Sequence, residues 1–217
     1  MALIDTGNKE TIYGAEGVAY IFSSQYKFVR CMLKCKILKF VFTFLYHLIA
    51  YNRYIIATPK SRFVCDCFPD RIIQYRLGYI ILILSAIVGL SSLTTFVPGE
   101  IDRTMIFKSM ILFFPVAFVQ ILFVILFRKE KGWDHAGHLF TVNFVSIALF
   151  LPFLFAGILF PGKIDYLIVI GVTTSVGVMI FLYSSRLRFL DMSPLWLILW
   201  IINFSITQLL YLYHAYN

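Results

Sequence analysis

The stretch Leu139 to Phe160, LFTVNFVSIALFLPFLFAGILF, contains no Asp, Glu, Lys or Arg, and its reading decides the fold. A helix needs about 20 apolar residues to cross the hydrocarbon core of a bilayer, and this run is long enough. No water reaches backbone amides and carbonyls there, so a crossing segment closes its hydrogen bonds within a helix. The same signature recurs along the chain: Leu77–Gly99, Ser109–Phe127, Tyr166–Ser185 and Leu195–Tyr213 are also free of these charges. The expected fold class is mainly α. A five-helix transmembrane bundle fills residues 71–217, and a small partial α/β segment fills residues 1–70.

Composition agrees with this division. Of the 217 residues, 60% are hydrophobic and 14% charged, well below the roughly 25% charge of soluble domains. The net charge of +8 is assigned to basic flanks beside the bilayer rather than to nucleic-acid binding. The first thirty residues are mixed and polar, without the short apolar core of a secretory signal, so the internal segments are expected to direct insertion.

Charge around the apolar runs sets the orientation. Before the first run stand Lys27, Arg30, Lys34, Lys36, Lys39, Arg53, Lys60, Arg62, Arg71 and Arg76. Arg128-Lys129-Glu130-Lys131 follows the second run, and Arg186 and Arg188 follow the fourth. Near-neutral connections, with Glu100, Asp102, Arg103 and Lys108 or with Lys163 and Asp165, alternate with these. Basic connections stay on the cytoplasmic side. The expectation is an integral protein of a bacterial cytoplasmic (inner) membrane that crosses five times, amino terminus inside and carboxyl terminus outside, with the lipid bilayer as its first partner.

None of the five runs carries an acidic or basic residue, which argues against an ion pathway. Their polar residues, Gln120, Asn143, Thr173, Thr174, Ser175, Asn203 and Gln208, are read as interhelical hydrogen-bonding groups. Gly171-x-x-x-Ser175 and Thr173-x-x-x-Gly177 are small-residue pairs that let helix backbones approach, and are taken as helix-packing positions. Pro115 and Pro152 are expected to kink their helices.

Trp133-Asp134-His135-Ala136-Gly137-His138 is read as a connecting segment. His135 and His138 would share a helical face and, with Asp134, suggest two or three metal ligands. With no further ligand close in sequence, the preferred reading is an amphipathic helix start with Trp133 at headgroup depth. No metal and no cofactor is implied.

In the amino-terminal segment, Leu3-Ile4-Asp5 and Thr11-Ile12-Tyr13-Gly14 read as short strands around the turn Gly7-Asn8-Lys9. Ala15–Phe28 reads as a helix, and Ile37–Tyr51 as a second, very apolar one. Lys39 and His47 make the latter an interfacial rather than a crossing helix. So small a unit needs a bilayer surface, the bundle or another chain to dock on.

These pieces, with Tyr46-x-x-Ile49-Ala50-Tyr51-Asn52-Arg53-Tyr54 and the Cys65, Cys67 and Pro69 that follow, resemble the second half of the DCC-type thiol–disulfide oxidoreductase-like family. The resemblance covers residues 3–69, and its family-motif residues here are Tyr46, Ala50, Asn52, Arg53 and Tyr54. It implies a thioredoxin-like ancestry. The family's Cys-x-x-Cys lies on its first strand and helix, and Met1 already aligns near its third strand. The redox motif therefore has no counterpart in residues 1–217, unless a separate chain supplies that half.

The chain holds four cysteines. Cys31 and Cys35 stand among basic residues that would favour thiolate. Cys65 and Cys67 are the redox candidates, since so short a disulfide would be strained and labile. Structural thiols, redox activity and zinc all remain open, with the first preferred in a reducing compartment.

Two functional readings result. One is a membrane protein of DCC-type ancestry acting near thiols. The other is a non-enzymatic accessory or scaffold subunit whose partners are other membrane protein subunits.

Overall fold

The computed structural model describes residues 2–4, 11–57, 72–93 and 113–216. Cys65, Cys67, the turn Gly7-Asn8-Lys9 and the connection holding Glu100 to Lys108 lie outside the described residues. The chain is mainly helical and divides into two compact units, Met1–Arg53 with Arg62–Arg76, and Tyr54–Ser61 with Leu77–Asn217.

The first unit opens with β1 (Ala2–Ile4) and β2 (Thr11–Tyr13), paired antiparallel with Leu3 opposite Ile12. Gly14 follows β2 at φ 63, a left-handed value only glycine adopts without strain, and turns the chain into α1 (Gly14–Gln25). Helix is expected over Ala15–Phe28, yet it stops at Gln25. The hydroxyls of Ser23 and Ser24 donate to the carbonyls of Tyr20 and Ile21 at 2.9 and 2.7 Å, where they compete with the helical ladder. A separate α2 (Lys27–Lys34) resumes after Tyr26.

Then α3 runs from Lys36 to Ile56, longer than the Ile37–Tyr51 expected. Its extension is stabilised at Asn52, which is fully buried. Asn52 Nδ2 donates to Leu48 O at 2.7 Å and to Tyr75 O at 3.0 Å, while Arg76 Nη1 donates to Asn52 Oδ1 at 2.9 Å. Tyr51 stacks on Tyr75 with centroids 4.9 Å apart. An ion pair of this unit, Lys39 with Glu16 at 3.5 Å, is exposed and contributes little.

In the second unit stand the body of α4 (Ile73–Leu93), α5 (Phe113–Phe127), α6 (Gly132–Leu159), α7 (Ile164–Phe189) and α8 (Leu195–Tyr216). Three helices are long and apolar enough to cross a bilayer: Ile73–Leu93, Lys129–Leu159 and Tyr166–Phe189. This is a membrane protein. The second and fifth expected spans fall on the shorter apolar helices Phe114–Phe127 and Leu195–Leu210. Pro152 does not end α6, which continues through it. Pro115 falls in the first described turn of α5, where a missing amide hydrogen costs little.

The pair α6–α7 is an antiparallel hairpin. Gly157 faces Ile164, Gly171 faces Phe150 and Phe153, and Ser146 Oγ donates to Ser175 O at 3.2 Å. A core of Phe150, Leu151 and Leu154 packs beside Leu90 and Ile168. At the far end of α7, Asp191 takes a left-handed φ of 54 while Met192 N bonds Leu187 O at 2.9 Å and Asp191 N bonds Arg188 O at 3.1 Å. That is a Schellman closure with Asp where glycine is usual. Ser193 then caps α8, its Oγ accepting from Leu195 N at 3.3 Å.

Candidate functional site

Where α6 begins and α7 ends, the second unit buries a cluster of polar and titratable side chains. His135 and His138, at relative exposures of 0% and 2%, sit three residues apart on α6, and Tyr183 and Arg186, at 1% and 5%, repeat that spacing on α7. Sequence reasoning placed Arg186 in a connection and His135 with His138 in another. Arg186 is corrected to a helix residue, since α7 runs on to Phe189, and the stretch holding His135 and His138 is the opening of α6, as the preferred reading of a helix start has it.

Arg186 Nη1 bonds His138 Nδ1 at 2.9 Å. The same nitrogen donates to Ile55 O, and Nη2 donates to Ile56 O at 3.4 Å. These carbonyls close the last turn of α3, where no intrahelical donor remains, so a cation there satisfies orphan acceptors and meets the negative end of the helix dipole. A guanidinium has donors only. His138 Nδ1 must therefore present its lone pair, which places the ring proton on Nε2 and leaves the imidazole neutral.

A second chain of bonds starts at Gln120 of α5. Its Nε2 donates to Trp196 O at 3.0 Å and to Tyr183 Oη at 3.2 Å. The carbonyl partner fixes which amide atom is nitrogen. Tyr183 oxygen thus accepts from Gln120 and its own hydrogen is available to His135 Nε2, 3.3 Å away. His135 then carries its proton on Nδ1, an atom buried without a hydrogen-bond partner among the described residues. The two imidazoles hold opposite tautomers. Nearby, Tyr79 Oη meets Thr141 Oγ1 at 2.8 Å, and Thr141 bonds Gly137 O at 2.7 Å, which ties α4 to α6. Lys131 Nζ donates to Leu190 O at 2.6 Å and Asp191 O at 3.0 Å, which adds a second cation to a helix carboxyl end.

This arrangement joins six helices by their polar atoms. One lone pair on each imidazole is already engaged, and no group of three or more His, Cys, Asp or Glu able to hold a metal occurs among the described residues. Asp134 is half-buried and Trp133 is 48% exposed, in keeping with an interfacial helix start.

The other expected positions scatter. Of the family-motif residues, Asn52 is buried, Arg53 exposed, and Tyr46 and Ala50 half-buried. Tyr54 lies in the second unit, its ring stacked 6.3 Å from Phe189. Gly171 and Ser175 pack between α6 and α7, whereas Thr173, Thr174 and Gly177 are exposed, with nothing within 4 Å of the Gly177 position. Cys31 and Cys35 are exposed free thiols. Asn203 Nδ2 donates to Val116 O at 3.3 Å, an interhelical bond of the expected kind. The paired spacing His135-x-x-His138 and Tyr183-x-x-Arg186 was the sequence signal for the cluster, and only its first half drew notice.

No protein-family model, curated protein or solved structure matches the chain. The site's chemistry therefore has to speak from its own geometry.

Proposed function

We propose that this protein crosses a bacterial inner membrane five times, with its amino terminus in the cytoplasm and its carboxyl terminus outside, and serves as a non-enzymatic accessory or scaffold subunit of a larger membrane assembly. In this reading α5 and α8 cross as well, and the amino-terminal unit is a DCC-type remnant whose motif residues now pack rather than react. The observation that carries it is the open edge of α7. Thr173, Thr174 and Gly177 are exposed on a membrane-capable helix, with empty space beside Gly177. Lipid chains gain nothing from hydroxyls, whereas a neighbouring helix gains close approach and hydrogen bonds. The buried cluster supports the same reading, because most of its hydrogen bonds join one helix to another.

Extraction into native-lipid particles, with Gly177→Cys as the attachment point for a short bifunctional reagent, tests this. A stoichiometric second polypeptide joined at that position is expected. A lone chain that stays unlinked in the native membrane would overturn the subunit reading.

A second reading, thiol–disulfide exchange, is favoured by the exposed free thiols Cys31 and Cys35 beside Lys34 and Lys36. Its proposed reactive pair is Cys65 and Cys67. Trapping of mixed disulfides that survives Cys65→Ser with Cys67→Ser would remove that pair from any mechanism.

A further inference from the structure

We propose that α2 and the first turns of α3 form a docking surface for an anionic lipid leaflet. The inference rests on the membrane reading above and adds which surface binds and which lipid class it selects. Along α3, Ile37, Phe40, Val41 and Phe44 recur at the spacing of one helical face, and they are 72%, 71%, 43% and 44% exposed. Phe28 on α2 is 74% exposed. Water solvates such a stripe poorly, so something covers it in the working protein.

Charge selects the occupant. Lys27 and Lys34 are exposed on α2 and Lys36 at the start of α3, and α2 is strongly two-sided in polarity. Glu16, the acid facing these helices, is already engaged with Lys39. A second copy docked through this face would bring like charges together, and an acidic headgroup layer would neutralise them. Aromatic and aliphatic side chains bordered by lysines are what an in-plane interfacial helix presents to the headgroup boundary. The membrane-capable helix α4 follows in the chain, so this surface is tethered to the bilayer it would bind.

The test uses the full chain reconstituted in vesicles of phosphatidylcholine, with or without phosphatidylglycerol. Cys31, Cys35, Cys65 and Cys67 are changed to Ser, and a polarity-sensitive probe is attached at Phe40→Cys or, separately, at Ile37→Cys. Phe155→Cys in α6 is the reference, quenched by chain-labelled lipid in both vesicle types whenever the protein is inserted. Failure of that reference would count against the membrane reading itself. With the reference intact, the Phe40 and Ile37 probes are expected to be shielded from acrylamide and quenched by chain-labelled lipid only in phosphatidylglycerol vesicles. Each lysine is worth about five-fold in surface association, so Lys27→Gln, Lys34→Gln and Lys36→Gln together should weaken docking on the order of a hundred-fold. Equal acrylamide quenching in both vesicle types would overturn the proposal. So would shielding that the triple variant leaves unchanged, since that would mean a protein covers the stripe.

Discussion

Arg186 hands a hydrogen bond to His138 across 2.9 Å, from one helix of the α6–α7 hairpin to the other. The guanidinium has no carboxylate partner among the described residues. Its acceptors are an imidazole and the carbonyls that end α3. A charge held this way is stable only while every acceptor stays in place, because an uncompensated buried cation is costly.

Removing either side should therefore be felt. His138→Leu is expected to lower stability by about 1–3 kcal/mol, the penalty of stripping a partner from a buried polar group. Arg186→Met should cost a similar amount by leaving the Ile55 and Ile56 carbonyls unmet. Arg186→Lys should not rescue it, since an ammonium is a point donor and cannot fork across three acceptors. Reversible unfolding in micelles, read as a double-mutant cycle, measures the coupling. Additive losses would show that the pair does not interact.

Gln120 makes a separate prediction. Gln120→Leu keeps the volume and removes the donor shared by Trp196 O and Tyr183. A loss of about 0.6–2 kcal/mol is expected, the range for interhelical bonds in membranes. Gln120→Glu should do worse, because the carboxylate would face a carbonyl oxygen. Thermal scans in detergent check both.

Glycine substitutions separate the packed face of α7 from its open face. A Cβ on Gly171 would lie 2.8 Å from Phe153 Cβ and 3.0 Å from Phe150 Cδ2, so Gly171→Ala should cost about 1–3 kcal/mol. On α6, Gly137→Ala meets Ile55 Cδ1 at 2.5 Å, the flexible end of a side chain, and should cost less. Nothing lies within 4 Å at Gly177. Gly177→Ala should leave the isolated chain as stable or stabilise it by up to about 1 kcal/mol through helix propensity, while Gly177→Leu should weaken the partner association proposed above. Equal destabilisation at Gly171 and Gly177 would contradict this division.

Much of the helical layout was legible because charge-free runs admit few alternatives. Residues 139–159 and 166–185 both lie inside helices that could cross a bilayer. The helix ends were not legible. Counting Arg186 as a connection residue followed from its charge alone, and only the arriving carbonyls of Ile55 and Ile56 explain how a cation stays buried. His135 and His138 raised a metal reading that gave way to a helix start, but a linear sequence does not show Tyr183 and Arg186 engaging their ring nitrogens. The small-residue pairs were both read as helix-packing positions, yet Gly171 with Ser175 is buried and Thr173 with Gly177 exposed, which the helical angle between them separates. The break at Tyr26 depends on serine hydroxyls competing for carbonyls, a contest that composition does not decide.

The most direct test of the account is sidedness. In a background with all four cysteines changed to Ser, Gly162→Cys, exposed between α6 and α7, and Glu130→Cys, exposed between α5 and α6, are treated on intact cells with an impermeant maleimide. In the proposed topology α6 lies between them and crosses the bilayer, so Gly162→Cys is expected to label at once and Glu130→Cys only after permeabilisation. Labelling of both positions from the same side would show that α6 does not cross, and the account would fail.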